Sequence, residues 1–265
     1  MTDGRTSLGR RLLWTWCVLT LVFLCAPIAV IVVVSFNATE FIQFPPRQWS
    51  LRWYANYFTA RQWVEPTLLS LRVAAVTMVL ATVIGTSAAI GLVRGRFRGR
   101  RALEYFFVSP MVAPAIVLAI GLYHLFARFG LVGRPFALYL GHTVLAAPLV
   151  IVIVSAALRT TDPAIELAAR SLGAGYFMTL RHVTLPAILP AVVSGAAFAF
   201  LVSFDEVVLA IFLGGPATTT LPKRMWESVR FEIDPTLTAI STLLVLIPIV
   251  VLAGVELARR SFAAR

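Results

Sequence analysis

At 265 residues, 59% hydrophobic and 13% charged with a mean hydropathy of +0.87, the chain is too apolar for an ordinary water-soluble domain, where about 25% of residues are charged. Its net charge of +11 does not point to nucleic acid, because the arginines sit between apolar runs and form no single stripe. Apolar runs of 19 residues or more predict an all-α protein that crosses a membrane several times.

The first predicted span is 12–36, preceded by Arg5, Arg10 and Arg11. Its apolar run is too long for the core of a signal peptide and Ala26-Pro27 makes a poor cleavage site, so an uncleaved anchor is expected. Cys17 and Cys25 lie within it, about 12 Å apart along a helix. A disulfide spans at most about 7 Å between Cα atoms, so the two do not bridge each other.

Residues 37–66 are too polar to span and too few to fold alone. Their aromatics Trp49, Trp53, Tyr54, Tyr57, Phe58 and Trp63 predict a short helix on the outer interface; a sugar- or base-stacking platform is the alternative. The second span is 73–93, with Arg72 at its outer end, where the long stem can snorkel. Residues 94–101 read RGRFRGRR, five arginines in eight positions. Spans three and four are 105–127 and 135–158. His142, within the fourth, reads first as a hydrogen bond to a neighbouring helix and second as a metal ligand or proton relay.

The next segment, 159–186, reads RTTDPAIELAARSLGAGYFMTLRHVTLP. Asp162-Pro163 is a helix start, an N-cap oxygen followed by proline at the first helical position. Ile165, Ala168, Ala169 and Leu172 then form one small apolar stripe at helical spacing, Glu166 and Arg170 an i,i+4 ion pair, and Gly173 a C′ residue at positive φ. A second helical stretch runs toward Pro186. The segment is expected to be a compact helix–turn–helix on the membrane surface whose alanine-rich face lets another backbone approach closely. Packing under its own bundle is the plainer reading, and entry into a DNA groove is disfavoured by tethering at both ends.

Span five, 187–213, carries Asp205-Glu206 in its outer half, and span six is 237–255. Ionisable groups at such depth face a bundle interior or a wet cavity. On a continuous helix the two carboxylates point about 100° apart, so only one is expected to face a path. Six spans place both termini on one side. The segments 1–11, 94–104, 159–186 and 256–265 hold 14 of the 23 basic residues, which makes that side cytoplasmic.

The only lysine, Lys223, follows a proline, so no Gly-Lys-Ser/Thr phosphate loop exists and the chain cannot supply its own ATPase site. The histidines 124, 142 and 182 are scattered, with no HExxH and no Gly-x-Ser-x-Gly, which leaves an intramembrane enzyme without support.

The 159–186 segment resembles the EAA loop of ABC-importer permeases. Ala168-Ala169 precede Gly173 at the family's interval and Val183-Thr184-Leu185-Pro186 follows, while Leu167 stands at the motif's glutamate position and Glu166 one residue earlier. Residues 110–114 (PMVAP), 141–143 (GHT) and 203–208 (SFDEVV), with Gly215-Pro216 and Leu221-Pro222, are similar to the C-type permeases of spermidine/putrescine importers. The resemblance implies one transmembrane domain over 1–265 with the type I importer fold, in the bacterial inner membrane. It implies a second permease chain, two ATPase subunits that hold ATP and Mg while this chain binds no cofactor, and an external solute-binding protein. It further implies coupling through Glu166, Ala168, Ala169 and Gly173, and a path for a small cationic solute past Asp205 and Glu206, with Asp205 favoured as the path carboxylate. Beside them Phe204 and Trp226 are candidates for cation–π contacts, with packing or interface anchoring as the alternative role of each. A salt bridge or cap to a partner is the alternative role for Asp205. At the level of the whole chain, the alternatives are a permease for another small solute, an ion-coupled secondary transporter and a structural membrane subunit.

Overall fold

The computed structural model describes residues 3–41, 43–231 and 234–263. The described residues are helical apart from turns and one isolated antiparallel bridge between Asn37 and Trp49. They form two compact units, Met1–Arg61 with Ser228–Ile247, and Gln62–Glu227 with Pro248–Arg265.

In the first unit, α1 (Asp3–Val34) exposes apolar side chains such as Leu12, Trp16 and Phe23, a surface that lipid accepts as readily as another helix. The chain then folds back on itself. The Ser35 and Tyr54 hydroxyls share a 2.6 Å hydrogen bond, and the Phe36 and Tyr54 rings lie 5.4 Å apart. The short helix expected between residues 37 and 66 is α2 (Arg52–Thr59). Its aromatics divide: Trp53 and Tyr57 are buried, while Phe58, like Trp49 before the helix, is exposed. Asn56 donates to the Thr236 hydroxyl at 2.8 Å.

The second unit opens with α3 (Arg61–Arg94), whose 34 residues extend about 51 Å, well past the expected 73–93. Trp63 at its start is fully buried with the Arg224 guanidinium 5.5 Å from the ring. Then come α4 (Arg100–Val112), α5 (Ala115–Arg128), α6 (Pro135–Thr160), α7 (Pro163–Ser171), α8 (Tyr176–Thr179), a π-helical turn (Leu180–Thr184), α9 (Leu185–Phe204) and α10 (Val208–Leu213). The last helices, α11 (Leu221–Phe231) and α12 (Thr236–Ala263), divide between the units.

Helix α6 is central because both apolar clusters of this unit include it. One joins Ala81 and Ala89 of α3 to Val150 and Val154 of α6 and to Ile188 and Ala199 of α9. The other joins Val73, Phe126, Leu138, Leu209 and Leu213. Close approach in the first depends on small residues. A Cβ on Gly85 would lie 2.7 Å from Val150 Cβ, and one on Gly195 3.3 Å from Val150 Cγ1.

Three expectations require correction. The span at 105–127 is not one helix: α4 and α5 meet at a bend of 106°. Pro114 offers no N–H and drives Ala113 to an extended ψ of 136°, the conformation favoured before proline. The span at 187–213 is also broken, since α9 ends at Phe204 and α10 starts at Val208. Thirdly, the helical stretch toward Pro186 does not stop there but runs on into α9, giving a continuous apolar helix Tyr176–Phe204. The π-helical turn makes this possible. Leu185 donates to Leu180 five residues back, and the wider turn relieves the clash that a proline ring makes with the carbonyl four residues earlier. Five described helices are long and apolar enough to cross a membrane, six if the bent pair counts as one span.

Candidate functional site

The 159–186 segment is built as its sequence dictates at both ends of α7. The Asp162 carboxylate accepts the Ala164 N–H at 2.9 Å, and Pro163 opens the helix. At the far end Gly173 has φ +92°, with Gly173 N–H donating to Arg170 O at 3.0 Å and Ala174 N–H to Ala169 O at 3.1 Å. That pair of bonds is a Schellman closure, which needs a left-handed residue where glycine carries no penalty. Ala168 is exposed and Ala169 half-buried. The apolar stripe faces outward, with Ile165 55% and Leu172 89% exposed.

The expected pair of Glu166 with Arg170 does not form. Glu166 turns inward and is buried; one carboxylate oxygen, Oε1, accepts from Arg94 Nε at 3.0 Å and from the Thr184 hydroxyl at 3.1 Å. Arg94 also donates from Nη2 to the Thr161 carbonyl at 3.1 Å, and Arg170 instead lies 5.7 Å from the Tyr176 ring. A surface i,i+4 pair contributes only about 0.3–0.5 kcal/mol, so a partly buried three-group contact with charge-assisted bonds outcompetes it. Arg94 and Thr184 carry no local signal for this role. In the sequence Arg94 reads only as one of five clustered arginines and Thr184 only as part of the Val-Thr-Leu-Pro run.

The second constellation lies at the break between α9 and α10. Glu206 Oε1 accepts the Leu209 N–H at 2.9 Å, so its carboxylate serves as a cap for the start of α10. Asp205 ends α9, is exposed, and its carboxylate has no hydrogen bond or ion pair among the described residues. Phe204 is buried and stacked on Phe200, with centroids 5.8 Å apart and planes 9° apart. Trp226 sits half-exposed on a different element, α11. The break thus brings Phe204, Asp205 and Glu206 together by sequence but gives them three different surroundings.

His142 of α6 bonds to the end of α9 at this break. Its Nδ1 lies 3.1 Å from the Ser203 carbonyl and 2.9 Å from the Ser203 hydroxyl. In an unbroken helix the Ser203 carbonyl would receive the N–H four residues on; with the helix ended at Phe204, the imidazole satisfies it. The expectation of a hydrogen bond to a neighbouring helix is met, with the added point that it acts at a helix end.

Residues 81–262 match the family described as "Binding-protein-dependent transport system inner membrane component". The chain belongs to this family. It is accordingly a multi-pass permease subunit of an ABC importer in the inner membrane and not an enzyme. Among relatives, the permease is 36% identical over 229 residues to the putrescine transport system permease protein PotI of Escherichia coli (strain K12), covering 84% of this chain and 81% of that one. It is 31% identical over 254 residues to the spermidine/putrescine transport system permease protein PotC of the same organism, covering 96% of each. A bacterial ABC transporter that imports the polysaccharide alginate has the same fold, with a TM-score of 0.76 at 14% identity over 97% of this chain and 98% of that one. The MetNI methionine ABC transporter in its inward-facing form gives a TM-score of 0.64 at 21% identity, over 75% and 95% respectively. The permease therefore has the type I importer fold.

Proposed function

We propose that this permease lines the path of an ATP-driven importer for a small polyamine such as putrescine or spermidine, beside a second permease chain. In this reading two ATPase subunits hold ATP and Mg and a solute-binding protein delivers the substrate from outside. The arginine-rich ends, including both termini, are cytoplasmic, as the distribution of basic residues supports. The relatives named for putrescine and spermidine transport support the substrate class.

The observation that carries the reading is the division of labour at the α9 break: Glu206 is occupied as a cap while the Asp205 carboxylate is exposed and unpaired among the described residues. A free carboxylate about 4 Å from an ammonium group attracts it by about 4 kcal/mol at an effective dielectric of 20. That is enough to favour entry of a cation and weak enough to release it. Trp226 is a further candidate for contact with a passing cation, whereas the face of Phe204 is already stacked.

Coupling follows from the other constellation. The exposed stripe of α7 is the docking face for the ATPases, with Ala168 and Ala169 allowing close approach. Through Glu166 any displacement of α7 reaches Arg94 at the end of α3 and Thr184 at the root of α9. ATP biases that equilibrium only by the free energy with which the ATPases prefer one loop position. The testing experiment is uptake of labelled putrescine and spermidine in cells carrying Asp205→Asn at equal expression. Impaired uptake with assembly and basal ATPase activity intact is the expected result. Unchanged polyamine uptake, or loss of assembly, overturns the assignment of Asp205 to the path.

A further inference from the structure

Where α3, α4 and α6 come together, a cavity of about 680 Å³ is lined by none of the residues of either constellation, although Val93 and Arg159 in its wall lie close in sequence to Arg94 and Thr161. One side is basic: Arg100 and Arg101 at the start of α4 and Arg159 at the end of α6, with Glu104 among them. Arg159 is already committed, its Nη2 lying 2.6 Å from Glu104 Oε1. Arg100 and Arg101 have no ion pair or hydrogen bond from their side chains among the described residues. The lining therefore carries a net charge of +2, three arginines against one glutamate. The other side is apolar, formed by Leu92, Val108 and Val152. The change from apolar to basic lining coincides with the ends of helices long enough to span, which is the headgroup level of a bilayer.

We propose that this cavity is a binding site for an anionic phospholipid, the phosphodiester held by Arg100 and Arg101 and an acyl chain laid along Leu92, Val108 and Val152. Basic pockets between spanning helices suit such headgroups, and guanidinium groups offer paired N–H donors to phosphate oxygens. A free phosphate shares the headgroup chemistry but gains nothing from the apolar wall. The wall and the level of the cavity together select the lipid.

The test uses the intact transport complex, delipidated in detergent and titrated separately with phosphatidylglycerol, phosphatidylcholine and inorganic phosphate, with bound mass read by native mass spectrometry. Phosphatidylglycerol is expected to bind in preference to phosphatidylcholine. The double variant Arg100→Gln/Arg101→Gln should bind it about thirtyfold more weakly, from the usual contribution of two basic residues at an anionic headgroup. Arg96→Gln/Arg98→Gln removes the same charge from the loop just before α4, outside the cavity, and should leave binding unchanged. Val108→Trp, which fills the apolar side without altering charge, should weaken phosphatidylglycerol binding. Equal retention of the two lipids, as when a partner chain covers the cavity, overturns the proposal. Equal loss in the two double variants overturns it in favour of a general basic surface. Inorganic phosphate that displaces the lipid and is indifferent to Val108→Trp overturns it in favour of a free-anion site.

Discussion

Removing Glu166 tests the link between α7, the proposed docking helix, and the rest of the bundle. Its Oε1 receives both the Arg94 Nε–H at 3.0 Å and the Thr184 hydroxyl at 3.1 Å, and the Arg94 and Glu166 side chains are 19% and 11% exposed. Breaking a buried pair by deleting one partner costs about 3–5 kcal/mol because the other charge is left uncompensated. Arg94 keeps some access to water and a second acceptor in the Thr161 carbonyl, so Glu166→Ala is expected near the lower figure, about 3 kcal/mol. Glu166→Gln keeps the shape and the acceptor but loses the charge assistance, about 1–2 kcal/mol. A lost preference of about 2 kcal/mol shifts a loop population about thirtyfold, so uptake should fall steeply while the protein remains inserted. The assay is thermal unfolding of the purified complex together with uptake and ATPase co-purification at equal expression, for Arg94→Ala, Glu166→Ala and the double variant. The double variant should be less impaired than the sum of the singles, since it leaves no orphan charge. Additive effects, or wild-type uptake by Glu166→Ala, would refute the link.

Gly173→Val meets no atom within 4 Å of the new Cβ, so its cost is backbone strain alone at φ +92°, about 1–2 kcal/mol. The variant should insert normally yet bind the ATPases weakly and transport poorly, and normal uptake at equal expression counts against the docking role of α7. His142→Ala should lower the unfolding temperature of the complex, since an unpaired Ser203 carbonyl costs about 1–3 kcal/mol; an unchanged melting curve would show that the imidazole does not hold the helix end. For orientation, cysteine at Arg98 should be inaccessible to an impermeant thiol reagent outside intact cells while cysteine at Ala60 reacts. Both are made after the exposed Cys17 and Cys25 are replaced by alanine, and outside labelling at 98 inverts the topology.

Helix existence was legible where a long apolar run meets a clear boundary. The span 135–158 matches α6, and Asp162-Pro163 and Gly173 bracket α7 as their chemistry requires. Breaks were less legible. Pro27, Pro66, Pro110, Pro148, Pro190 and Pro248 all lie inside helices, so a proline in an apolar run does not by itself announce the bend that Pro114 makes. The break at Asp205 has neither proline nor glycine beside it. What could have flagged it is a carboxylate immediately ahead of an apolar stretch, placed to accept an N–H three residues on as Glu206 accepts that of Leu209. The inward turn of Glu166 was out of reach, since its ion partner lies 72 residues away and local spacing points to Arg170.

Val150 touches α3 at Gly85 and α9 at Gly195, and that arrangement ties three positions in three helices to one shared volume. A methyl group added at 85 would lie 2.7 Å from Val150 Cβ and 3.1 Å from the Ala147 carbonyl oxygen, so trimming residue 150 to alanine leaves both contacts, whereas at 195 the nearest atom is Val150 Cγ1 at 3.3 Å, which trimming removes. Inheritance at these sites is therefore joint. A lineage that acquires alanine at 195 is expected to shorten the side chain at 150, one that enlarges 150 has to keep glycine at both neighbours, and 85 stays glycine for any residue at 150 that carries a Cβ. The same constraint tells a protein engineer where single substitutions will fail and a compensating pair will not.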